Sequence, residues 1–332
     1  MSSIEFRPTN ELKQYHELLY ESLVDYCNSD MKSFRSECCE DIKECPACGH
    51  YEISNAFHNG PIHFKTCQKC KTIFQSPSLT QKYLTKWYYD SIASNFSESI
   101  RKSTYLSRKN SKFLQIFQRY REYFEKGVLL DIGCSYGYFL ELIREKTKMT
   151  VEGIELNNET VQWVINNKGY TVYNKDIREL KPVEYYDTIT CWGTVTHIKE
   201  PFTFFSTCFE ALKKGGTILI STPNCRGIEF IINEFYEGVQ ITGQSFFSKD
   251  GIKSILERCG YKDISILCNG KRDIDILCSM IERKPKSIEK VSVFMQDLLL
   301  DKSEEGEDRR REFQNFITKN QISSYMEIVA SK

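Results

Sequence analysis

The chain has 332 residues, enough for one domain of about 170 to 200 residues together with smaller additions. Its 45 basic and 45 acidic residues give a formal net charge of zero, whereas nucleic-acid enzymes usually display a basic surface. A nucleic acid is therefore not the expected partner, and the absence of a long apolar run argues against a membrane span. The 14 cysteines, with no recognisable secretory leader, predict a cytoplasmic location in which disulfides are not expected.

The first 80 residues predict two small units. Residues 1–40 contain a helical pattern and are expected to form an N-terminal helical cap. Residues 41–80 contain two Cys-x-x-Cys pairs separated by 18 residues, which predict a zinc ribbon with one tetrahedral, four-thiolate site. Because four protein ligands leave no open coordination position, we expect the zinc to be structural. The alternatives are reduced structural cysteines, a redox pair and disulfides. The predicted ligands are Cys45, Cys48, Cys67 and Cys70.

A glycine turn follows a short apolar run at residues 128–132. Asp131 lies at the end of this run, and Gly133 and Gly137 frame a small-residue turn before an amphipathic stretch, a pattern typical of a ligand-holding strand, turn and helix. A dinucleotide site would need Gly-x-Gly-x-x-Gly, of which only the first glycine is present, since residues 135 and 138 are Ser and Tyr. Asp131 would repel a pyrophosphate but attract a ligand with an amine and a sulfonium, such as S-adenosylmethionine.

The segment 131–137 resembles the first motif of the class I S-adenosylmethionine-dependent methyltransferases, Asp/Glu-x-Gly-x-Gly-x-Gly, with Ser135 in place of the middle glycine. Segments over residues 110–285 resemble the later motifs in the family's order. This resemblance implies an α/β fold with a doubly wound, mostly parallel seven-stranded Rossmann-like sheet, in a methyltransferase domain over residues 126–285. Any other doubly wound parallel sheet would show similar strands one at a time.

The expected cofactor contacts follow the same motifs. Glu155 ends a second predicted strand, 22 positions after Gly133, where a carboxylate can accept hydrogen bonds from both ribose hydroxyls. By resemblance, Asp176 is expected at the adenine amino group with Ile177 on the ring, and the fourth strand is expected to face the methionine part or the substrate. The complete expected set is Asp131, Gly133, Cys134, Ser135, Gly137, Glu155, Leu156, Asp176, Ile177, Cys191 and Trp192.

Few catalytic residues are expected, because a sulfonium methyl group is already activated and transfer depends mainly on holding the acceptor in line. An oxygen or carbon acceptor would also need a base, for which His197, just past the fourth strand, is the candidate; a structural role in its loop is the alternative. Residues 81–125 are expected to form a helical linker and cleft lid, from which Tyr89 could reach the cleft or simply pack the ribbon. Further candidates in loops over the cleft are Asn224, Glu229, Glu234 and Gln244.

The charge balance favours a small-molecule acceptor. The ribbon resembles the small zinc ribbon that precedes many bacterial methyltransferase domains, which implies a sugar or nucleotide-linked sugar acceptor in polysaccharide or secondary-metabolite biosynthesis. A homodimer is one candidate assembly. The alternatives are an RNA or protein methyltransferase that uses the ribbon for recognition, and a non-catalytic cofactor-binding scaffold. Residues 286–332 are rich in charge and are expected to form a charged helical C-terminal tail.

Overall fold

The computed structural model describes residues 18, 39–59, 62–90, 92–228, 230, 243–275, 277–278 and 292–332. Nearly all of the expected cap at residues 1–40, and the candidates Glu229 and Glu234, lie outside the described residues. The side chains of residues 59, 86–90, 92, 93 and 294 are outside the described part as well, and they include that of Tyr89.

The residues of the predicted ribbon form most of two small antiparallel sheets. One pairs β1 (Cys39–Glu40) with β5 (Ser78–Leu79). The other has the order β11-β4-β3-β2 and consists of β2 (Ile53–Asn59), β3 (Ile62–Cys67), β4 (Ile73–Gln75) and β11 (Ser245–Phe246). Since β11 lies at least 170 positions beyond β4, the ribbon sheet is completed by a strand from the second half of the chain.

The main sheet has seven strands in the order β12-β13-β10-β9-β6-β7-β8. The pairs β10–β9, β9–β6, β6–β7 and β7–β8 are parallel, whereas β13 runs antiparallel to both of its neighbours. The predicted α/β fold with a mostly parallel, seven-stranded Rossmann-like sheet is confirmed. The strands are β6 (Val128–Ile132), β7 (Thr150–Ile154), β8 (Thr171–Tyr173), β9 (Tyr186–Trp192), β10 (Leu212–Pro223), β12 (Lys262–Leu267) and β13 (Tyr325–Ser331).

Alternate residues of the central strands face two apolar layers. In β10, Ile218 and Ile220 pack in one layer, while Leu219 packs in the other with Phe139. Helices between the strands cover both faces, and several begin at a capping side chain: the Asn157 side chain accepts from Thr160 N at 2.9 Å. These helices are α5 (Tyr138–Lys146), α6 (Asn158–Lys168), α7 (Ile177–Leu180), α8 (Pro201–Ala211) and α9 (Lys249–Arg258).

Helical segments also lead from the ribbon to the first strand of the main sheet. They are α1 (Gln81–Asp90), α2 (Ile92–Ser103), α3 (Tyr105–Ser107), a π-helical stretch (Arg108–Phe113), α4 (Leu114–Arg119) and a 3₁₀ turn (Arg121–Tyr123). Glu141 of α5 anchors them, because it accepts hydrogen bonds from Tyr105 Oη and Lys109 Nζ, both at 2.5 Å, and also pairs with Lys168 of α6 at 2.5 Å. The segment packs in the same apolar layer as Cys134 and Tyr136 of the glycine turn.

The C-terminal residues depart from the expected helical tail. Helices α10 (Val293–Leu300) and α11 (Glu304–Lys319) are present, but residues 325–331 form β13, inside the main sheet. This strand is short and apolar, except for Glu327, whose buried carboxylate pairs with Arg119 and accepts from Tyr120 Oη at 2.8 Å. The expected domain boundary at residue 285 therefore leaves out a strand that the sheet contains. None of the described helices is long and apolar enough to cross a membrane.

The ribbon and the main sheet share one apolar core. Cys45, Cys67 and Phe74 lie in the same buried cluster as Ile252 and Leu256 of α9. The end of α9 also reaches the first cysteine pair, where Arg258 Nη1 donates to the carbonyl of Ala47 at 2.7 Å. The ribbon is therefore part of the main body, because its cysteine end cannot separate from α9 without exposing apolar surface.

Candidate active site

The glycine turn after β6 is built on a close contact with the loop after β9. Gly133 has φ +76°, and a Cβ atom there would lie 2.2 Å from Thr194 Oγ1. A side chain at this position would therefore be disfavoured for two reasons, because it would strain the backbone and would collide with Thr194. The turn is held at the carboxyl ends of the parallel strands, the edge at which open α/β sheets bind their ligands.

Most backbone amides of this turn are already used inside the protein. Gly133 N and Cys134 N both donate to the carbonyl of Ile154, at 2.8 and 3.0 Å, and Gly137 N donates to Cys134 O at 2.9 Å. Ser135 N donates to Glu155 Oε2 at 3.0 Å. A pyrophosphate site needs free amides at this position, so the arrangement disfavours a dinucleotide.

Asp131 is buried at the end of β6, with 3% of its surface exposed. Its Oδ1 accepts a hydrogen bond from Thr190 Oγ1 of β9 at 2.7 Å. Burial, together with the nearby Glu155 carboxylate, raises the pKa of Asp131 to about 7. A cationic group in this cleft would favour the charged form of Asp131, whereas an anionic group would oppose it.

Glu155 follows β7 and joins two loops. Besides Ser135 N, its carboxylate accepts from the amides of Leu156 at 2.7 Å and Asn157 at 3.0 Å. Burial and the neighbouring Glu98 raise the pKa of Glu155, although the amides of Asn157 and Ser135 act in the opposite direction. Glu155 and Asp131 thus flank the glycine turn from two adjacent strands, as the sequence predicts; their contact with a cofactor stays a prediction.

The carboxylate of Asp176, which is expected to contact the adenine, is bonded to a neighbouring side chain. Asp176 caps α7 and forms a bidentate pair with Arg178, at 2.8 Å for both Nε and Nη2. Ile177, next to it, is buried. Since these contacts already use both oxygens of Asp176, a hydrogen bond to an adenine would have to use their remaining lone pairs, and this assignment also stays a prediction.

The remaining expected contacts differ in their access to the cleft. Cys191 has no exposed surface and lies in the apolar core, which argues against contact between its side chain and a ligand. Cys134 is 2% exposed and closely approaches Gly153, whose Cβ would lie 2.6 Å from the sulfur. Trp192 packs edge-on against Phe139, with 5.3 Å between the ring centroids. The buried Nε1 of Trp192 has no hydrogen-bond partner among the described residues.

The loop after β9 brings the candidate base to the same edge of the sheet. His197 ends a 3₁₀ turn (Val195–His197) and is partly exposed, with its amide bonded to Thr194 O at 2.9 Å. The neighbouring Thr196 carbonyl accepts from Gln244 N at 2.7 Å. Asn224, a further candidate, is buried and donates to Ser323 O at 3.0 Å, which indicates a structural role.

The four predicted zinc ligands are brought together. The sulfur atoms of Cys45, Cys48, Cys67 and Cys70 all lie within 4.8 Å of one another, with 3.5 Å for Cys45–Cys70 and for Cys48–Cys67. Four sulfurs around one zinc at about 2.3 Å would be about 3.8 Å apart, so the cluster has the right size and donor set. The hydrogen bond with Cys45 lowers the pKa of Cys70 to about 5. The cluster therefore fits a metal, whose binding stays a prediction.

Two polar residues near the cleft were not identified from sequence. Glu98 of α2 is 6% exposed and accepts a hydrogen bond from Ser135 Oγ at 3.1 Å. Gln75 of the ribbon accepts from Gln244 Nε2 at 3.2 Å. The only available signal for Glu98 was an acid in a helical segment, and nothing local tells such a residue from a solvated one.

The strand order and the glycine turn at the carboxyl edge define a Rossmann-like methyltransferase fold. Residues 103–266 match the family model described as "Methyltransferase domain". This part of the chain is thus a class I S-adenosylmethionine-dependent methyltransferase domain, and it includes α3 through most of β12.

The similarity to individual proteins is distant. The tRNA U34 carboxymethyltransferase of Mannheimia succiniciproducens is 30% identical over 103 residues, covering 29% of this chain and 32% of that protein. Phosphoethanolamine N-methyltransferase 1 of Arabidopsis thaliana is 25% identical over 169 residues, covering 49% and 34%. The crystal structure of an S-adenosylmethionine-dependent methyltransferase from Archaeoglobus fulgidus is 21% identical, with a TM-score of 0.47 and coverage of 76% and 100%. The chain spans about a third of the length of the first two relatives.

Proposed function

We propose that this protein transfers a methyl group from S-adenosylmethionine to a small-molecule acceptor, a sugar or nucleotide-linked sugar. The observation that carries the cofactor assignment is the pair of carboxylates, Asp131 and Glu155, on a glycine turn whose amides are mostly used inside the protein. Negative charge beside a turn with few available amide donors suits a cationic ligand with ribose hydroxyls. The match of residues 103–266 to the methyltransferase family supports the same cofactor.

Bound S-adenosylmethionine would supply a methyl group on a positively charged sulfur. Asp131 would face the cationic part, and Glu155 would accept hydrogen bonds from the ribose hydroxyls. His197, on the loop after β9, would take a proton from the acceptor. These roles leave little else for the chain to do beyond holding the acceptor in line with the methyl group.

A buried polar cluster holds the loop of His197, the candidate base, against the ribbon. Gln244 Oε1 accepts from Ser78 Oγ at 2.9 Å, its Nε2 donates to Gln75 Oε1 at 3.2 Å, and its amide bonds the Thr196 carbonyl beside His197. Because these side chains are buried and bonded to one another, the cluster supports a fixed position for the loop that carries His197. The zero net charge of the chain disfavours a nucleic acid, which leaves a small molecule as the first candidate acceptor.

The four clustered cysteines would hold one structural zinc ion. With four protein ligands the ion would have no position for water or substrate, so its contribution would be to stability. The shared core and the β11–β4 pairing support a ribbon that forms a wall of the main domain, as opposed to a separate recognition module.

A tRNA is the second candidate acceptor. It is favoured by the match to the tRNA U34 carboxymethyltransferase of Mannheimia succiniciproducens, which covers 29% of this chain. The balance of 45 basic and 45 acidic residues disfavours it, because phosphate contacts usually require a basic surface.

Methyl transfer from labelled S-adenosylmethionine tests both candidates. The purified chain is incubated with a panel of nucleotide-linked sugars and, separately, with unmodified tRNA, and products are identified by mass spectrometry. We expect labelled sugar, and we expect His197→Asn to lower the rate by about a hundredfold or more while leaving the Kd for the cofactor unchanged. Labelled tRNA in place of labelled sugar would show that tRNA, the second candidate, is the acceptor. Cofactor binding without transfer to either class would favour the non-catalytic scaffold.

A further inference from the structure

Helix α2, which precedes the main sheet, is docked directly onto the glycine turn. Ser135 Oγ donates to Glu98 Oε2 at 3.1 Å and also exchanges a hydrogen bond with Tyr138 Oη at 2.7 Å. A second contact joins the same helix to the loop after β7, where Asn157 Nδ2 donates to Asn95 Oδ1 at 3.4 Å. Two loops of the cofactor cleft are therefore in contact with one helix.

The Glu98 carboxylate lies close to that of Glu155, because both accept hydrogen bonds from the same residue, Ser135. Glu98 is buried, and its ion-pair partner Arg101 is one turn further along the helix. A carboxylate in such a site interacts with a bound charge more strongly than a solvated carboxylate does, since little water separates them.

The residue that holds Glu98 is the one that departs from the family motif. Where the motif has its middle glycine, this chain has Ser135, in a left-handed conformation with φ +47°. Glycine would adopt this conformation more easily, so the serine is retained at some conformational cost. Its hydroxyl supplies the contact to Glu98 that a glycine could not supply.

We propose that Glu98 is a further cofactor-contacting residue, positioned by Ser135, and that it favours S-adenosylmethionine over the demethylated product, S-adenosylhomocysteine. This rests on the proposed function, since it assumes that the cleft binds this cofactor. The two ligands differ by one positive charge at sulfur. An additional buried carboxylate next to the turn therefore stabilises the substrate form more than the product form.

The test is calorimetric titration of the full chain with both ligands. For Glu98→Gln we expect the Kd for S-adenosylmethionine to rise about tenfold and that for S-adenosylhomocysteine to rise less than about threefold. Loss of the Glu98–Arg101 ion pair would act in the same direction, because the positive charge of Arg101 would then be less compensated and would oppose a cationic ligand. The matched control is Glu159→Gln, an exposed carboxylate on α6, for which both Kd values should stay unchanged.

The role of Ser135 is tested with a double-mutant cycle. Ser135→Gly keeps the backbone conformation and removes the hydroxyl, so Glu98→Gln should have a smaller effect in that background than in the wild type. If Glu98→Gln does not fold, Glu98→Asp keeps the charge but shortens its reach, and we expect a smaller change of the same sign.

Three results are distinguishable. Wild-type protein that binds neither ligand would overturn the proposed function itself. Wild-type binding with an unchanged ratio of the two Kd values in the Glu98 variants would overturn this inference alone. Equal effects of Glu98→Gln with and without Ser135 would overturn the positioning role.

Discussion

At the scale of single residues, the two carboxylates of the cofactor cleft are held in place by hydrogen bonds within the protein. Asp131 has a hydroxyl partner, Thr190, while Glu155 is held by three backbone amides, so both carboxylates are oriented before any ligand enters. Preorganised charge of this kind lowers the cost of binding, because little has to rearrange.

The first prediction concerns Asp131→Asn, which keeps the shape of the side chain and removes its charge. Because the pKa of Asp131 is about 7, its charged form increases as the pH rises from about 6 to 8, and wild-type affinity for S-adenosylmethionine should increase over this range. The variant should bind about tenfold more weakly at about pH 8 and show a flatter pH dependence. Calorimetry at both pH values measures this. Equal pH dependence in the two proteins would contradict it.

The free energy of unfolding of the ligand-free protein provides a second, independent measurement. In the wild type it should fall over the pH range in which the affinity for S-adenosylmethionine rises. The folded-state pKa is raised above the ordinary value near 3.8, so the folded state binds more protons than the unfolded state. The stabilising contribution is therefore present below about pH 4 and is lost as the pH rises through about 7. Urea unfolding should show Asp131→Asn becoming more stable relative to the wild type over this interval.

At the scale of secondary-structure elements, the ribbon depends on partners from far along the chain. Strand β11 pairs with β4, Arg258 at the end of α9 bonds Ala47, and the Ser248 hydroxyl donates to the Cys70 carbonyl. Each contact spans at least 170 positions. Loss of the cysteine cluster should therefore weaken the main domain as well as the ribbon.

The second prediction is that the chain carries one zinc ion and that Cys45→Ser removes it. Metal analysis of protein purified without chelator should give one equivalent, and the variant should melt more than about 5 °C lower because metal binding contributes folding free energy. Cys225→Ser is the matched control, since Cys225 lies beside the ribbon and bonds the Lys71 carbonyl at 3.3 Å but is outside the cluster. Metal-free wild-type protein with four free thiols at these positions would reject the site.

The sequence predicts local features well and distant contacts poorly. Two short-range patterns, the Cys-x-x-Cys pairs and the turn at Gly133, correctly indicated residues that lie together, because tight turns are specified by a few neighbouring residues. The Glu98–Ser135 and Gln75–Gln244 contacts join residues 37 and 169 positions apart, so no local pattern distinguishes them. Strand β13 was missed because a charged stretch around residues 301–312 dominates its surroundings.

At the scale of the whole molecule, the C-terminus completes the main sheet. Strand β13 lies between β10 and β12, and its Ile328 pairs with Ile220 on one side and Ile266 on the other. Removing this strand would expose the edges of both neighbours together with much of one apolar layer. The sheet that carries the glycine turn therefore includes a strand formed by residues 325–331.

The third prediction follows from that placement. Ile328→Ala should lower the free energy of unfolding by about 2 to 5 kcal/mol, because it leaves a cavity where the side chain is only 1% exposed. Phe316→Ala is the control, since this larger side chain on α11 is 54% exposed and its loss should cost less than about 1 kcal/mol. Denaturant unfolding compares the two. Similar values would show that β13 does not form part of the core.

The central claim is that the cleft around Asp131, the glycine turn and Glu155 binds S-adenosylmethionine, and calorimetric titration of the zinc-loaded full chain tests it most directly. We expect saturable binding of S-adenosylmethionine and S-adenosylhomocysteine with micromolar Kd and a stoichiometry of one, and marked loss of both in an Asp131→Ala, Glu155→Ala double variant that remains folded. Folded, zinc-loaded wild-type protein that binds neither ligand, or a folded double variant that still binds tightly, would contradict the account.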